Sequence, residues 1–207
     1  RRQRQMCIRD RATAEPLTLT RTLVQHRHAL AQGGRLQVFV GLGLSDTLQP
    51  AHADVLDFLG YAASGPHRAL AQAGVLDIIP SHYSQLPPLI AQGHIPADVV
   101  LLQVSPPDAQ GRHSLGQVRE FLPAAMEHAR VIVGEVHRDV PWTAGGPYLK
   151  AGDFDLLIDS DADLLDMART EPGTVEQAIA AHIAGLVEDG SCLQLGVGNL
   201  PEAVLTA

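Results

Sequence analysis

The chain has 207 residues, and 23 acidic side chains against 15 Lys and Arg leave a formal net charge of −8. Such a surface argues against nucleic-acid and anionic-membrane partners, which bind basic surfaces. The two cysteines, Cys7 and Cys192, lie far apart and predict neither a disulfide framework nor a CxxC site, which fits a cytoplasmic protein. No apolar run approaches the roughly 18 residues of a membrane-spanning helix, and no stretch has the order of a signal peptide.

The first eleven residues, RRQRQMCIRDR, are rich in arginine and resemble nothing downstream. They are predicted to be either a disordered basic tail or an artefact of translated adaptor sequence, and residues 1–11 are left out of the fold prediction. Residues 12–190 are predicted to form one amino-terminal α/β domain. Residues 191–207 are predicted to begin a second, truncated domain.

Aliphatic runs without alternation recur along the chain and are typical of strands buried on both faces. Segments rich in Ala and Leu with helical spacing separate several of them. The predicted strands are 36–43, 75–80, 98–105, 129–136, 154–160 and 191–198, and the predicted helices are 20–32, 66–73, 84–92, 117–129 and 174–189. This alternation predicts an α/β fold with a mostly parallel open sheet covered by helices.

The last predicted strand, SCLQLGVG, runs into a glycine loop and then a helix start at NLPEAVL. Gly196 and Gly198 permit close approach of the backbone to a ligand, and the N–H groups around Val197 to Leu200 could converge on an anion. The pattern lacks the third glycine of the dinucleotide fingerprint and the Gly-Lys-Ser/Thr of a P-loop. A phosphate cradle, an oxyanion hole and a purely structural turn all remain open from glycine spacing alone.

Two further clusters follow predicted strands. Ser105-Pro106-Pro107-Asp108 must leave the sheet, because proline donates no ladder hydrogen bond, and it forms either a rigid exit loop or one wall of a ligand crevice. Glu135 and His137 lie two residues apart at the end of another strand, so they point to the same side. An acid/base pair is one interpretation, and strand-end residues with hydrogen-bonding roles are the favoured one.

The sequence lacks the motifs of a metal site and of a serine hydrolase. Ten histidines are present, but neither HExxH nor a Cys/His spacing gathers them, so no metal site is predicted. No Gly-x-Ser-x-Gly elbow indicates a serine hydrolase.

Three motifs in one order carry a resemblance: PSHYSQLPPLIAQGHIPADVVLLQVSPPDAQGRHSLG, VIVGEVHRDVPWTAGG and VEDGSCLQLGVGNLPEAVL. From about Gly33 onward the chain resembles the amino-terminal half of the acetyl-CoA hydrolase/transferase family, which includes acetate, succinate and 4-hydroxybutyrate CoA-transferases. The resemblance implies the NagB/RpiA/CoA-transferase fold. It also implies covalent catalysis, in which an active-site glutamate forms an acyl-glutamyl anhydride and then a glutamyl-CoA thioester.

The resemblance assigns roles to residues of this chain. Val197 and Gly198 would supply backbone groups of an oxyanion hole, with the Val197 amide as its main donor. The residues expected to bind the coenzyme are Gly196, Asn199, Ser105, Pro106, Pro107, Asp108 and Gly111. The family's nucleophilic glutamate matches no residue here and is expected beyond Ala207, so Glu120, Glu127, Glu135, Glu171, Glu176, Glu188 and Glu202 are not assigned that role. His137 stands where the family usually has asparagine.

The implied substrates are an acyl-CoA and a small carboxylate such as acetate, with coenzyme A as a substrate and no permanently bound cofactor. The implied partners are the carboxyl-terminal half and, in the full-length protein, further copies in a homo-oligomer, and the fragment alone is expected to be inactive. An acetyl-CoA hydrolase, a non-catalytic module binding CoA or a nucleotide, and an enzyme resembling phosphosugar isomerases remain as alternatives.

Overall fold

The computed structural model describes residues 6–9, 12–166, 171–196 and 198–207. The chain divides into two compact units, Arg1–Asp166 and Met167–Ala207, here called the first and second unit. Within the described residues, no helix combines the length and apolar character needed to cross a membrane.

The first unit contains nine strands and five α-helices among its described residues. The strands are β1 (Met6–Arg9), β2 (Leu36–Val40), β3 (Leu56–Gly60), β4 (Leu76–Ile78), β5 (Val99–Val104), β6 (Arg112–Ser114), β7 (Val131–His137), β8 (Tyr148–Lys150) and β9 (Leu156–Ser160). The helices are α1 (Leu17–Gln25), α2 (Arg27–Leu30), α3 (Arg68–Gln72), α4 (Leu86–Ala91) and α5 (Leu122–His128). Short 3-10 turns occupy Ala12–Ala14, Ala31–Gly33, Pro50–Asp54, Gly65–His67, Tyr83–Gln85 and Ala151–Asp153. The second unit contains α6 (Thr174–Ala184) and α7 (Asn199–Thr206).

Seven strands form one sheet in the order β4-β3-β2-β1-β5-β7-β9, and β6 and β8 form a separate antiparallel pair. All pairings in the large sheet are parallel. The chain builds outward from β1 on one side and then from β5 on the other, so the sheet is doubly wound. The loops after its strands therefore lie at one edge, where such sheets bind ligands.

The apolar core lies on both faces of the sheet. Val100, Leu102 and Val104 of β5 belong to one buried cluster, whereas Leu101 belongs to the other. Because successive side chains of a strand point to opposite faces, one unbroken aliphatic run supplies both cores. The prediction of a parallel, helix-covered α/β sheet is confirmed.

Position in the sheet decides which strands are buried on both sides. The edge strands β4 and β9 expose Ile78 and Leu156, although their aliphatic runs resemble those of central strands. The strand β3 was not predicted, because Asp57 interrupts its short apolar run. That side chain ion-pairs with Arg35 at 2.6 Å.

The structure differs from the sequence-based expectation near both ends of the chain. Met6–Arg9 pair with β2 and β5 in the middle of the sheet, so these four residues are not a disordered tail; the alternative of an adaptor artefact concerns the origin of the sequence and stays a prediction. Residues 191–196 form no strand and are exposed, because no neighbouring strand pairs with them among the described residues. Along the chain, the boundary between the two compact units falls after Asp166, upstream of the predicted boundary after residue 190.

Candidate active site

The loop after β5 is held by its own hydrogen bonds. The Ser105 hydroxyl donates to the Pro106 carbonyl at 2.9 Å and accepts the Ser114 N–H at 2.9 Å. The carbonyl of Ser105 lies 2.8 Å from Nδ1 of His113, which therefore carries the proton. Ser105 is buried, and its polar groups form hydrogen bonds within the loop. This supports the interpretation of the motif as a rigid loop by which the chain leaves the sheet.

Asp108 closes the same loop. Its carboxylate accepts the N–H groups of Gln110 and Arg112 at 2.9 and 2.8 Å, and both Nε and Nη2 of the Arg112 guanidinium at 2.8 and 2.6 Å. The hydrogen bonds from Arg112 hold the pKa of this carboxyl below its usual value. Gly111 has φ +69°, a conformation that favours glycine, while Pro107 and Gly111 are exposed. Asp108 is therefore a loop-forming residue, and any contact of this turn with coenzyme would come from its exposed surface.

Two aromatic rings, one from β8 and one from the loop before it, lie beside the guanidinium of Arg112. The rings of Trp142 and Tyr148 stack with centroids 5.0 Å apart, and Cζ of Arg112 lies 4.9 Å from the Tyr148 centroid. Nearby, the Ser114 hydroxyl lies 2.9 Å from the Thr143 hydroxyl and accepts the Gly116 N–H at 3.1 Å. The motif after β5 and the motif after β7 are thus joined by direct contacts.

Glu135 binds the start of a helix. It is fully buried near the end of β7, and its two carboxylate oxygens accept the N–H groups of Thr18 and Leu19 at 3.3 and 3.0 Å. Both amides lie in the first turn of α1, where N–H groups lack an intrahelical acceptor and a negative charge is favourable. Glu135 has a structural role, and this agrees with the favoured interpretation of the sequence.

His137 is locked by partners other than Glu135. Its Nδ1 accepts the N–H of Asp139 at 3.1 Å, so in the neutral ring Nε2 carries the proton and donates to the carbonyl of Ala162. The hydroxyl of Ser160 accepts the Ala162 N–H at 3.2 Å and contacts the Thr18 hydroxyl at 2.7 Å. A network of buried and half-buried polar groups thereby connects the ends of β7 and β9 with α1.

Sequence reasoning missed two further polar groups at the glycine-rich loop after β2. Glu15 is buried, and the Ser45 hydroxyl lies 2.8 Å from each of its carboxylate oxygens. Nδ1 of the buried His67 donates to the Gly41 carbonyl at 3.0 Å, and its ring fills the space where a Cβ on Gly43 would lie. The pattern Gly-Leu-Gly was the only sequence signal, since nothing local marks Glu15 or His67 as its partners.

The glycine loop lies in the second unit. Gly198 has φ +143° and precedes α7, and the nearest side-chain atom to a Cβ on Gly196 or Gly198 belongs to Pro201, 3.9 to 4.0 Å away. The amides of Asn199 and Leu200 belong to the first helical turn, where N–H groups have no intrahelical acceptor. Val197, the predicted main donor, lies outside the described residues. The predicted roles of Gly196, Val197, Gly198 and Asn199 stay predictions.

The described residues contain no group of three or more His, Cys, Asp or Glu side chains that could hold a metal ion. In the first unit, the edge of the sheet carries a wall of hydrogen-bonded loops in which three carboxylates are engaged: Glu135 by α1, Asp108 by Arg112 and Glu15 by Ser45. Such a wall can shape a crevice, whereas covalent catalysis needs a carboxylate that is free to attack.

The model of the acetyl-CoA hydrolase/transferase N-terminal domain matches residues 3–152. The 4-hydroxybutyrate coenzyme A transferase of Clostridium kluyveri is 30% identical over 194 residues, which are 94% of this chain and 45% of that protein. Among solved structures, RipA from Yersinia pestis superposes with a TM-score of 0.88 at 25% identity, over 98% of this chain and 49% of that one. The 4-hydroxybutyrate CoA-transferase from Porphyromonas gingivalis gives a TM-score of 0.72 at 28% identity, over 98% and 46%.

The chain thus spans less than half the length of these similar proteins. The fold of the sheet with its edge loops and the match over residues 3–152 both indicate the same protein family. The chain belongs to the acetyl-CoA hydrolase/transferase family.

Proposed function

We propose that this chain is the amino-terminal part of an enzyme that transfers CoA between an acyl-CoA and a small carboxylate. The main support for this proposal is the family match over residues 3–152, which includes the loops after β5 and β7 that are joined by hydrogen bonds. Coenzyme A enters as a substrate in this proposal.

The first unit would supply a preformed side of the substrate crevice. The loops after β5 and β7 are joined by hydrogen bonds from Thr143 to Ser114 and Gly116 that need no ligand, so they keep their shape before substrate binds. Preorganised groups favour catalysis because no reorganisation is needed during the reaction. In the second unit, the backbone of Gly196 to Asn199 would stabilise the oxyanion of each tetrahedral intermediate, an interaction worth about 3 kcal/mol for each donor.

The nucleophile would come from outside these 207 residues. In the proposed reaction, its carboxylate attacks the thioester carbonyl and expels CoA thiolate, leaving an acyl-glutamyl anhydride. The thiolate then attacks the glutamyl carbonyl, which releases the acyl carboxylate and leaves a glutamyl-CoA thioester. Glu135 is unsuited to this role, since both its oxygens hold amides of α1.

Trapping the thioester tests this proposal. The full-length protein is incubated with acetyl-CoA and then with hydroxylamine, which converts a glutamyl thioester into a hydroxamate that peptide mass spectrometry can locate. We expect CoA transfer to succinate, butyrate or 4-hydroxybutyrate, and a modified glutamate on a peptide absent from residues 1–207. Transfer by the 207-residue chain alone, or a hydroxamate on Glu135, would contradict the assignment.

A hydrolase is the second candidate, because the family description covers acetyl-CoA hydrolases as well as transferases. The two differ in whether water or a carboxylate resolves the glutamyl thioester. Release of free CoA from acetyl-CoA without any carboxylate acceptor would favour the hydrolase. We further propose a cytoplasmic location, which the widely spaced cysteines support, and a homo-oligomer for the full-length enzyme.

A further inference from the structure

Trp142 and Tyr148 form an aromatic surface on the first unit, here called the aromatic platform. Their rings are stacked, with centroids 5.0 Å apart and an angle of 19° between the planes. Trp142 lies on the loop between β7 and β8 and is 40% exposed, although it is the single tryptophan of the chain. This loop follows a strand of the parallel sheet, at the edge where such sheets bind ligands.

Part of the Trp142 ring is open to a ligand. Tyr148 occupies one face of the ring. The Cζ atom of Arg112 lies 4.9 Å from the Tyr148 centroid and 5.9 Å from the Trp142 centroid, so the guanidinium lies beside the stack and not on the far face of Trp142. No other ring or cation contacts Trp142 among the described residues. The exposed part of the ring is therefore available to a planar group.

The platform is held in place by hydrogen bonds that need no ligand. The Tyr148 hydroxyl accepts the N–H of Gly145 at 3.1 Å, and the Thr143 hydroxyl donates to the Gly116 carbonyl at 2.7 Å. These contacts fix the loop directly after Trp142. A preorganised aromatic surface binds a ligand with little loss of conformational entropy.

Cations share the exposed face of the β6–β8 pair with the platform. Arg112 lies directly opposite Lys150, and Tyr148 comes two residues before Lys150, so these three side chains are on one face. His113 and Leu149 occupy the alternate positions and are buried. The face with the two cations is therefore the one that points away from the core.

The charges on this face are not balanced. Two cations directly opposite each other are unfavourable unless an anion joins them. Asp108 is that anion for Arg112, with Oδ2 at 2.6 Å from Nη2. Lys150 forms no ion pair within the described residues, because Asp153 accepts its main-chain N–H at 2.7 Å but does not pair with its ammonium group. An anionic ligand on the platform would meet a cation without a carboxylate partner.

A second such cation lines a cavity formed by the same loop. The cavity has a volume of about 130 Å³, and Ser114, Gly116, Thr143 and Arg119 are among its lining residues. Nη1 of Arg119 donates to the Gly145 carbonyl at 3.4 Å, and its guanidinium forms no ion pair with any described residue. The loop that carries Trp142 can thus meet a ligand with more than one anionic group.

The size of the platform favours a small planar ligand over a protein. Among the described residues, no other large exposed apolar side chain lies on β6, on β8 or on the loop between β7 and β8. Stable protein interfaces bury about 800 Å² on each partner. A nucleobase needs only one ring face, and every base can stack on an aromatic side chain. A planar ring that carries phosphates therefore fits the platform and its cations.

We propose that the aromatic platform binds the adenine nucleotide end of coenzyme A, with the adenine ring on Trp142 and phosphates beside Lys150 and Arg119. Tyr148 supports the Trp142 ring from the opposite face. This inference rests on the proposed function, because the proposed reaction makes coenzyme A the nucleotide that the protein binds.

Two thioester donors test this inference in the full-length protein. Acetyl-CoA carries the nucleotide, whereas S-acetylpantetheine has the same thioester without it. We expect Trp142→Ala to raise the KM for acetyl-CoA about 5- to 100-fold, the range for the loss of one base stacked on an aromatic side chain. The kcat with acetyl-CoA and the turnover of S-acetylpantetheine should not change. Trp142→Phe keeps a ring and should restore most of the affinity.

Calorimetric titration with adenosine 3′,5′-bisphosphate measures the same contact without any reaction. Trp142→Ala should weaken this binding by the same factor. Lys150→Ala should weaken it about 2- to 5-fold at low salt, and the difference should shrink as salt rises, because exposed charges are screened. Leu30→Ala is the control: it also truncates an exposed apolar side chain of the first unit, 53% exposed, and should change neither measurement.

Unchanged affinity for adenosine 3′,5′-bisphosphate in Trp142→Ala would overturn the inference. So would equal losses with acetyl-CoA and S-acetylpantetheine, which would indicate damage to the fold. Dissociation of an oligomer by Trp142→Ala, with nucleotide affinity retained, would overturn it by placing the ring in a protein interface. Nucleotide binding through Trp142 without CoA transfer would refute the proposed function alone, whereas transfer with the parent KM in Trp142→Ala would refute this inference alone.

Discussion

Replacing Glu135 with glutamine probes the contact between the end of β7 and the start of α1. The carboxylate accepts two N–H groups, from Thr18 at 3.3 Å and from Leu19 at 3.0 Å, and it is fully buried. Glutamine keeps one oxygen acceptor, but its amide NH₂ group would face the other N–H, and the negative charge beside the helix start is lost. The variant therefore loses one hydrogen bond and weakens the second.

The magnitude follows from these contacts. A hydrogen bond to a charged group contributes about 1.5–3 kcal/mol, and a buried donor left without an acceptor costs about 1–3 kcal/mol. We expect Glu135→Gln to lower the free energy of unfolding by about 2–3 kcal/mol, which corresponds to a fall in Tm of about 4–12 °C for a domain of this size. The glutamine still fills the site, so cavity formation contributes little.

Urea unfolding followed by the fluorescence of Trp142 is the suitable assay, because this single tryptophan lies in the first unit and stacks on Tyr148. Glu127→Gln is the matched control: it makes the same chemical change at an exposed site on α5 and should stay within about 0.5 kcal/mol of the parent chain. Hydrogen exchange should show faster exchange of the Thr18 and Leu19 amides in Glu135→Gln only. A loss no larger than that of the control, with both amides still protected, would refute the capping role of Glu135.

Two further substitutions test the loops at the sheet edge. Gly43→Ala would place a Cβ 2.4 Å from the His67 ring and should lower the free energy of unfolding, measured by thermal unfolding, by about 1–3 kcal/mol. Gly33→Ala is the control, because no atom lies within 4 Å of its added Cβ. Equal Tm values for the two variants would contradict the close packing of His67. Asp108→Asn removes a carboxyl whose pKa the hydrogen bonds from Arg112 hold below its usual value, so the folded state binds its proton less readily than the unfolded state. The stability advantage of the parent chain should be complete above that value and disappear as the pH falls through the lower pKa of the folded state; unfolding curves with the same difference at every pH would contradict it.

Much of the fold could be predicted because aliphatic runs report burial directly. The strands β2 and β5 lie within the predicted runs, and β7 extends one residue beyond its run; each is buried or partly buried along most of its length. The runs that became β4 and β9 look similar in sequence, and only the order of the strands makes them edges. Period and composition are local properties, whereas strand order depends on the whole chain.

At the candidate site, too, local features could be predicted from the sequence and long-range contacts could not. The prolines after β5 and the glycines before α7 were readable because backbone restriction is a property of the residue itself. The hydrogen-bonding partners of Glu135, Asp108 and His67 could not be predicted from the sequence. Glu135 accepts amides more than a hundred residues away, and His67 binds the loop after β2. A polar side chain does not reveal in sequence whether its hydrogen bonds go to a ligand or to the protein.

By itself the sequence determined the fold class, the family motifs and the loops that leave the sheet, because apolar runs, prolines and glycines constrain the backbone locally. Only the tertiary structure decided that the motif carboxylates are engaged within the first unit. It also decided that residues 191–196 form no strand, although their composition favours one. A strand requires a hydrogen-bonding neighbour as well as a suitable sequence, and no neighbour pairs with this segment in the part of the chain that the structure describes.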